Sequence, residues 1–317
     1  MKIVMLERNN VGSDFEMPDF GRFGEVEIYG YCRPEQVAER IENADICILN
    51  KMPMNEQTMK DVTKLKLLCV TATGMDNVDL EYCKSRGIAV RNVSGYSTET
   101  VVQHTFAMLL YLYEKLPFYD TYVKDGSYKD CATFTFFGFP FSDLSGKVWG
   151  IAGLGTIGHR VAEVAKAFGC EVIYYSTSGI ERKEPYERAD FDDFLKRCDI
   201  ISVHAPLNDH TRGLFDYAAF EKMKKTAIFL NLGRGPIVVE ADLARALKEN
   251  QIAGAALDVL SAEPIKEENP LYEIREYKNL LITPHIAWAS IEARKRLMEG
   301  VYANVEEFVN GLEGSVI

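Results

Sequence analysis

The segment Val148-Trp-Gly-Ile-Ala-Gly-Leu-Gly-Thr-Ile-Gly158 constrains this 317-residue chain more than any other. The apolar run Val148 to Ala152 predicts a buried parallel strand, and Ile157 to Phe168 has helical spacing. Three glycines in a Gly-x-Gly-x-x-Gly pattern stand where strand becomes helix. Gly153 permits a tight turn, Gly155 lets backbone N–H groups approach a phosphate, and Gly158 lets helix and strand pack closely. The positive helix end, with Thr156 and Ile157, then faces an anion. Glycine also marks ordinary strand-to-helix turns, but with strand, turn and helix in order the pattern predicts a dinucleotide pyrophosphate site.

The second strand of that unit, Glu171 to Tyr175, is expected to end in the acid that holds the ribose hydroxyls of NAD. Ser176 and Thr177 stand there instead. A 2′-phosphate would not be repelled by them, and Arg182 and Lys183 are near enough in sequence to attract one, unless both are solvated loop charges. The cofactor therefore stays open between NAD and NADP.

The rest of the chain repeats the same alternation. Strands are predicted at Ile3–Leu6, Val26–Tyr29, Ile46–Leu49, Leu67–Thr71 and Ile88–Val90, with helices at Pro34–Glu42, Asn55–Val62 and Asn77–Ser85. Ser97 reads as the N-cap of a long apolar helix. A second series has strands at Val148–Ala152, Glu171–Tyr175, Ile200–His204, Ala227–Leu232, Gly254–Leu257 and Leu280–Thr283. Both series predict parallel sheets covered on two faces. In the last helix, Ser290 to Gly311, residues Met298, Val301, Val305 and Phe308, with Leu312 beyond, form one apolar stripe that suits a return to the first sheet. The expected division is residues 1–98 with 288–317, and 99–287 between them.

Between the two series, residues 117–142 are aromatic and without a clear period, including Phe134-Thr-Phe-Phe-Gly-Phe-Pro-Phe141. Such a stretch suits a subunit interface, or else an irregular segment packed on its own domain. The net charge of −11 argues against nucleic-acid or anionic-membrane partners. No apolar run has the length of a membrane span, and the N-terminus lacks a secretory pattern. Seven scattered cysteines without a Cys-x-x-Cys pair read as reduced core residues of a cytoplasmic protein.

Three residues follow strands of the second series, where open α/β sheets bind ligands. Arg234 can grip a carboxylate with two parallel hydrogen bonds, though alone it suits a structural ion pair equally. His285 is the side-chain type suited to proton exchange near neutrality. Glu263, if it is not a solvated loop acid, can bond one ring nitrogen and fix the tautomer. Lys51, after the third strand, can add charge for a substrate carboxylate or remain solvated.

These residues sit in Asn231-Leu-Gly-Arg-Gly-Pro-Ile-Val238, Ala256-Leu-Asp-Val259 with Glu263-Pro264, and Pro284-His-Ile-Ala-Trp288. With the glycine turn, Gly74-Met-Asp-Asn-Val-Asp79 and Gly95-Tyr-Ser-Thr-Glu-Thr-Val-Val-Gln-His104, the chain resembles the D-isomer-specific 2-hydroxyacid dehydrogenases over nearly its whole length. The branch it most resembles is that of glycerate dehydrogenase and hydroxypyruvate reductase.

The resemblance implies an α/β fold in which a Rossmann NAD(P)-binding domain is inserted in a flavodoxin-like substrate domain. It implies hydride transfer to a small 2-oxo acid bound between the domains, with His285, held by Glu263, as acid/base and Arg234 orienting the substrate. Thr73, Gly74 and Met75 would hold the substrate carboxylate. The loop His204, Ala205, Pro206 with Thr211, together with Leu232 and Gly233, would line the cofactor, and Asp258 would contact the nicotinamide amide. A hinge near Ser94–Thr98 and Ala287–Ser290, and a homodimer, are further implications. Two other readings share the turn: a cofactor-sensing corepressor, and a formate or phosphite dehydrogenase. The complete Arg, Glu and His set favours catalysis over the first. Glu263 stands where formate enzymes of this type usually carry Gln.

Overall fold

A computed structural model describes residues 1–180 and 183–311. Arg182 and Leu312, which entered the expectations above, lie outside the described residues. Contacts within the chain divide it into two units, Met1–Ser97 with the described residues from Trp288 onward, and Thr98–Ala287.

In the first unit, strands β1 (Lys2–Met5), β2 (Glu25–Ile28), β3 (Ile46–Leu49), β4 (Leu67–Val70) and β5 (Ala89–Arg91) form a parallel sheet in the order β2-β1-β3-β4-β5. Strand side chains alternate between faces, and the two cores divide accordingly. Ile3, Met5, Ile46, Ile48, Leu67 and Cys69 belong to one. Val4, Leu6, Cys47, Leu49, Leu68 and Val70 belong to the other. The helix Ile291–Val309 lays Ala293, Leu297, Met298, Val301 and Val305 on the first face, and Ser290 caps it by accepting a hydrogen bond from the Ala293 amide. The predicted stripe is thus the buried one, with Phe308 partly buried at its edge.

The second unit has seven strands among the described residues: β6 (Val148–Ala152), β7 (Glu171–Tyr175), β8 (Glu187–Arg188), β9 (Ile200–Val203), β10 (Ile228–Asn231), β11 (Gly254–Leu257) and β12 (Leu280–Ile282). All pairings are parallel, in the order β12-β11-β10-β9-β6-β7-β8. The order reverses between β6 and β9, which makes their carboxyl ends a topological switch point. The helices Thr98–Tyr113 and Thr156–Ala167 cover one face around Trp149, whose indole N–H donates to the buried Ser202 hydroxyl at 2.9 Å.

Two expectations need correction. Strand β8 escaped the sequence reading because it is a two-residue, charged, exposed edge with no apolar alternation. Residues Leu116–Lys124, read as having no clear period, form a helix with Pro117 in its first turn, where a missing N–H costs nothing. Beyond it Phe134, Phe137, Phe139 and Phe141 are exposed.

Candidate active site

The glycine turn closes as its residue types require. Gly153 has φ +95, and a Cβ there would lie 2.8 Å from the Ala205 backbone. A Cβ on Gly158 would lie 2.4 Å from the Gly153 carbonyl oxygen, so strand and helix approach only because that atom is missing. Gly155 differs: its φ of −91 suits any residue, and nothing lies within 4 Å of a Cβ placed there. It opens instead onto a cavity of about 220 Å³, lined among others by Leu154, Ser176, Thr177, His204, Pro206 and Asn208. No side chain caps the helix Thr156–Ala167, so its first N–H groups are not taken up by a capping side chain.

His204 lines the same cavity. Both its ring nitrogens are shielded from solvent and lack a hydrogen-bond partner among the described residues. Burial lowers its pKa to about 3, so the ring is neutral. Open space at Gly155 and a buried polar ring lacking partners both fit a dinucleotide seated on the turn.

Other residues assigned to the cofactor have different surroundings. Thr211 is fully buried; its hydroxyl donates to the Pro206 carbonyl at 2.8 Å and accepts from the Asn208 amide, so it staples the loop from inside. The Leu232 side chain packs in the core. Gly233 is needed because a Cβ would meet the Ala205 carbonyl at 2.8 Å, which seats the β10 end against the β9 loop. Lys183 is exposed and not among the residues lining the cavity, whereas Glu184 lines it.

Arg234, Glu263 and His285 follow the neighbouring strands β10, β11 and β12. Asn231, buried at the end of β10, accepts from the Gly233 amide and donates to the Arg234 carbonyl, shaping the turn that presents the arginine. A Cβ on Gly235 would lie 1.9 Å from the Leu260 carbonyl carbon, so this turn lies directly on the loop that carries Glu263. Glu263 accepts from the Leu260 amide through Oε1 and meets Nδ1 of His285 at 2.7 Å through Oε2. His285 itself has φ +54, a left-handed conformation uncommon for a side-chain-bearing residue and frequent at functional sites.

Asp258 holds that conformation. Its carboxylate, 2 % exposed, accepts from the amides of Ile286 and Ala287 and from the Thr283 hydroxyl, which also meets Nε2 of His104 at 3.1 Å. Through these bonds Asp258 positions the His285 loop from inside the protein.

In the first unit, the loops after β3 and β4 are tied together. Glu7, 8 % exposed, accepts from the amides of Asn50, Lys51 and Met52, and Asn77 donates to the Met52 carbonyl. Thr73 donates to the Val93 carbonyl, and Asn92 to that of Thr73. Glu7 carried no sequence signal, because the amides it gathers through Oε2 lie 43 to 45 residues away, while the Asn10 side chain, on Oε1, is local.

A doubly wound sheet with a Gly-x-Gly-x-x-Gly turn, and an Arg and a Glu–His pair after its strands, fits an α/β oxidoreductase that uses a nicotinamide dinucleotide. Comparison with known proteins narrows this. Residues 106–287 match the family model of the D-isomer specific 2-hydroxyacid dehydrogenase, NAD binding domain. The chain is 35 % identical to a glycerate dehydrogenase of Methylorubrum extorquens, over 100 % of this chain and 98 % of that one. It is 36 % identical to a hydroxypyruvate reductase of Blautia hydrogenotrophica, over 100 % and 99 %. A solved acyclic imino acid reductase in complex with NADPH and D-Arg superimposes with a TM-score of 0.87 at 28 % identity, covering both chains fully. The protein belongs to the D-isomer-specific 2-hydroxyacid dehydrogenases, NAD(P)-dependent oxidoreductases with a Rossmann domain and a separate parallel-sheet substrate domain. Its activity is accordingly that of an NAD(P)-dependent dehydrogenase of small 2-hydroxy acids. Among the described residues no helix is long and apolar enough to cross a membrane.

Proposed function

We propose that the protein interconverts hydroxypyruvate or glyoxylate with the corresponding 2-hydroxy acid, and that His285 is its acid/base. The observation that carries the mechanism is the 2.7 Å contact between Glu263 and Nδ1 of His285, which fixes the ring and leaves Nε2 to exchange the proton. Bound reduced nicotinamide supplies a hydride to C2 of the oxo acid. His285 delivers a proton from Nε2 to the carbonyl oxygen, completing the hydroxyl, and takes it back in the oxidising direction. Arg234 orients the substrate through its planar fork and polarises that carbonyl. Backbone N–H groups of Thr73, Gly74 and Met75, with Lys51, hold the carboxylate. The glycine turn, Ser176, Thr177 and the His204–Pro206 loop hold the dinucleotide.

The glycerate and hydroxypyruvate activities named for two relatives support this substrate class. The exposed phenylalanines at 134–141 support a homodimer, and seven free cysteines, six of them buried, support a cytoplasmic protein. Hydroxypyruvate, glyoxylate and pyruvate assayed with NADH and NADPH test the reading by loss of reduced-nicotinamide absorbance. Turnover is expected with hydroxypyruvate or glyoxylate; none with any of the three overturns it.

A further inference from the structure

The end of β7 lacks the acid that usually holds the adenosine ribose, but the cavity beside it does not lack a carboxylate. Glu184 reaches that cavity from the loop after β7, and its side chain is only 12 % exposed. Its Oε2 lies 3.1 Å from Nε2 of His159. His159 is the fourth residue of the helix that opens on the glycine turn. Glu184 is therefore anchored to the element that faces the cofactor phosphates. Its Oε1 has no hydrogen-bond partner among the described residues, while Ser176, Thr177 and Ser178 line the same space. A carboxylate accepts bonds from two adjacent hydroxyls and repels a phosphate at the same place.

The geometry points to Glu184 as the residue that selects the cofactor: delivered from the loop, it takes the place of the missing strand-end acid, accepts the adenosine ribose hydroxyls and disfavours a 2′-phosphate. This rests on the cavity at Gly155 being the adenosine side of the dinucleotide site. The sequence left the choice open between NAD and NADP, with Arg182 and Lys183 as possible attractors of a 2′-phosphate. Among the described residues, Lys183 is exposed and does not line the cavity, whereas Glu184 lines it. His159 acts as a positioning residue that keeps the Glu184 carboxylate over the turn.

Equilibrium binding of NADH and of NADPH, measured by calorimetry without substrate, tests the assignment in the wild type, in Glu184→Gln and in Gly155→Val. The wild type is expected to bind NADH more tightly. Glu184→Gln, which keeps shape and removes charge, is expected to lower the NADH-over-NADPH preference by about tenfold or more, the size of one charge-assisted hydrogen bond. Gly155→Val has an allowed backbone, a Cβ there meets nothing within 4 Å, and the position opens on the cavity, so the variant, checked for its fold by circular dichroism, is expected to weaken both cofactors alike. A wild type that prefers NADPH overturns the assignment, and so does a preference unchanged in Glu184→Gln when Gly155→Val weakens both. If Gly155→Val leaves both affinities intact, the cavity is not the dinucleotide site, and the underlying reading falls with the assignment.

Discussion

The glycine turn and the Glu263–His285 pair lie on the same sheet and were made in different ways. At the turn, three glycines within six residues do separate steric tasks, and each follows from what a Cβ would strike or leave open. The pair instead joins residues 22 apart in sequence, brought together because β11 and β12 are neighbours and held by Asp258 from underneath. A contiguous motif can be read from local sterics. A dispersed one depends on strand order, and on buried groups that touch no substrate.

The largest effect that would separate the two regions is expected from His285→Ala. Turnover should fall by about 10²–10⁴-fold, the range typical of a lost general acid, with NADH affinity unchanged in a direct titration. Near-normal turnover would remove the residue from the chemistry and break the contrast. Arg234→Lys should lower kcat/KM by about 10–100-fold, with KM raised and kcat lowered together, because the planar fork is lost. Unchanged steady-state kinetics would show that the arginine serves structure alone.

Glycine substitutions sharpen the comparison through stability. Gly235→Ala, whose Cβ would strike backbone at 1.9 Å, is expected to cost about 1–3 kcal/mol in urea unfolding and to lower turnover by shifting the Glu263 loop. Gly155→Ala should unfold like the wild type, since its Cβ meets nothing within 4 Å, and reveal itself only in cofactor affinity. Equal destabilisation of the two would contradict the steric distinction.

A further effect, confined to acid pH, is expected from titration. His204 is neutral in the fold, where burial holds its pKa at about 3, and titrates near its ordinary value of about 6.5 once unfolded. The unfolded chain therefore binds the extra proton as pH drops. The stability contribution is complete above about pH 6.5 and declines by about 1.4 kcal/mol per pH unit below it, until the folded pKa is reached. Urea unfolding at several pH values should show a shallower decline in His204→Gln; identical slopes would mean that the ring is not buried as described.

Much of the architecture was legible. The strands at Ile46–Leu49, Val148–Ala152, Glu171–Tyr175 and Gly254–Leu257 have the predicted bounds, because a strand covered on both faces is mostly apolar and ends near where the apolar run ends. The edge strand β8 carried no such signal. The helix at Leu116–Lys124 was hidden because it buries no residue fully and so has no periodic core face. That the Thr211 hydroxyl staples its own loop and the Leu232 side chain packs in the core could not be read from residue type, which does not say which way a side chain faces.

By itself, the sequence determined the two parallel-sheet series, the dinucleotide turn and the identity of the Arg, Glu and His set, because each is carried by residue type at short range. Tertiary structure alone decided which carboxylate each nitrogen meets, that Asp258 and Glu7 hold loops from within, and that Glu184 lines the cavity at Ser176. Those outcomes depend on which segments the sheet order makes neighbours, and on where each loop spends its hydrogen bonds. No local pattern records either.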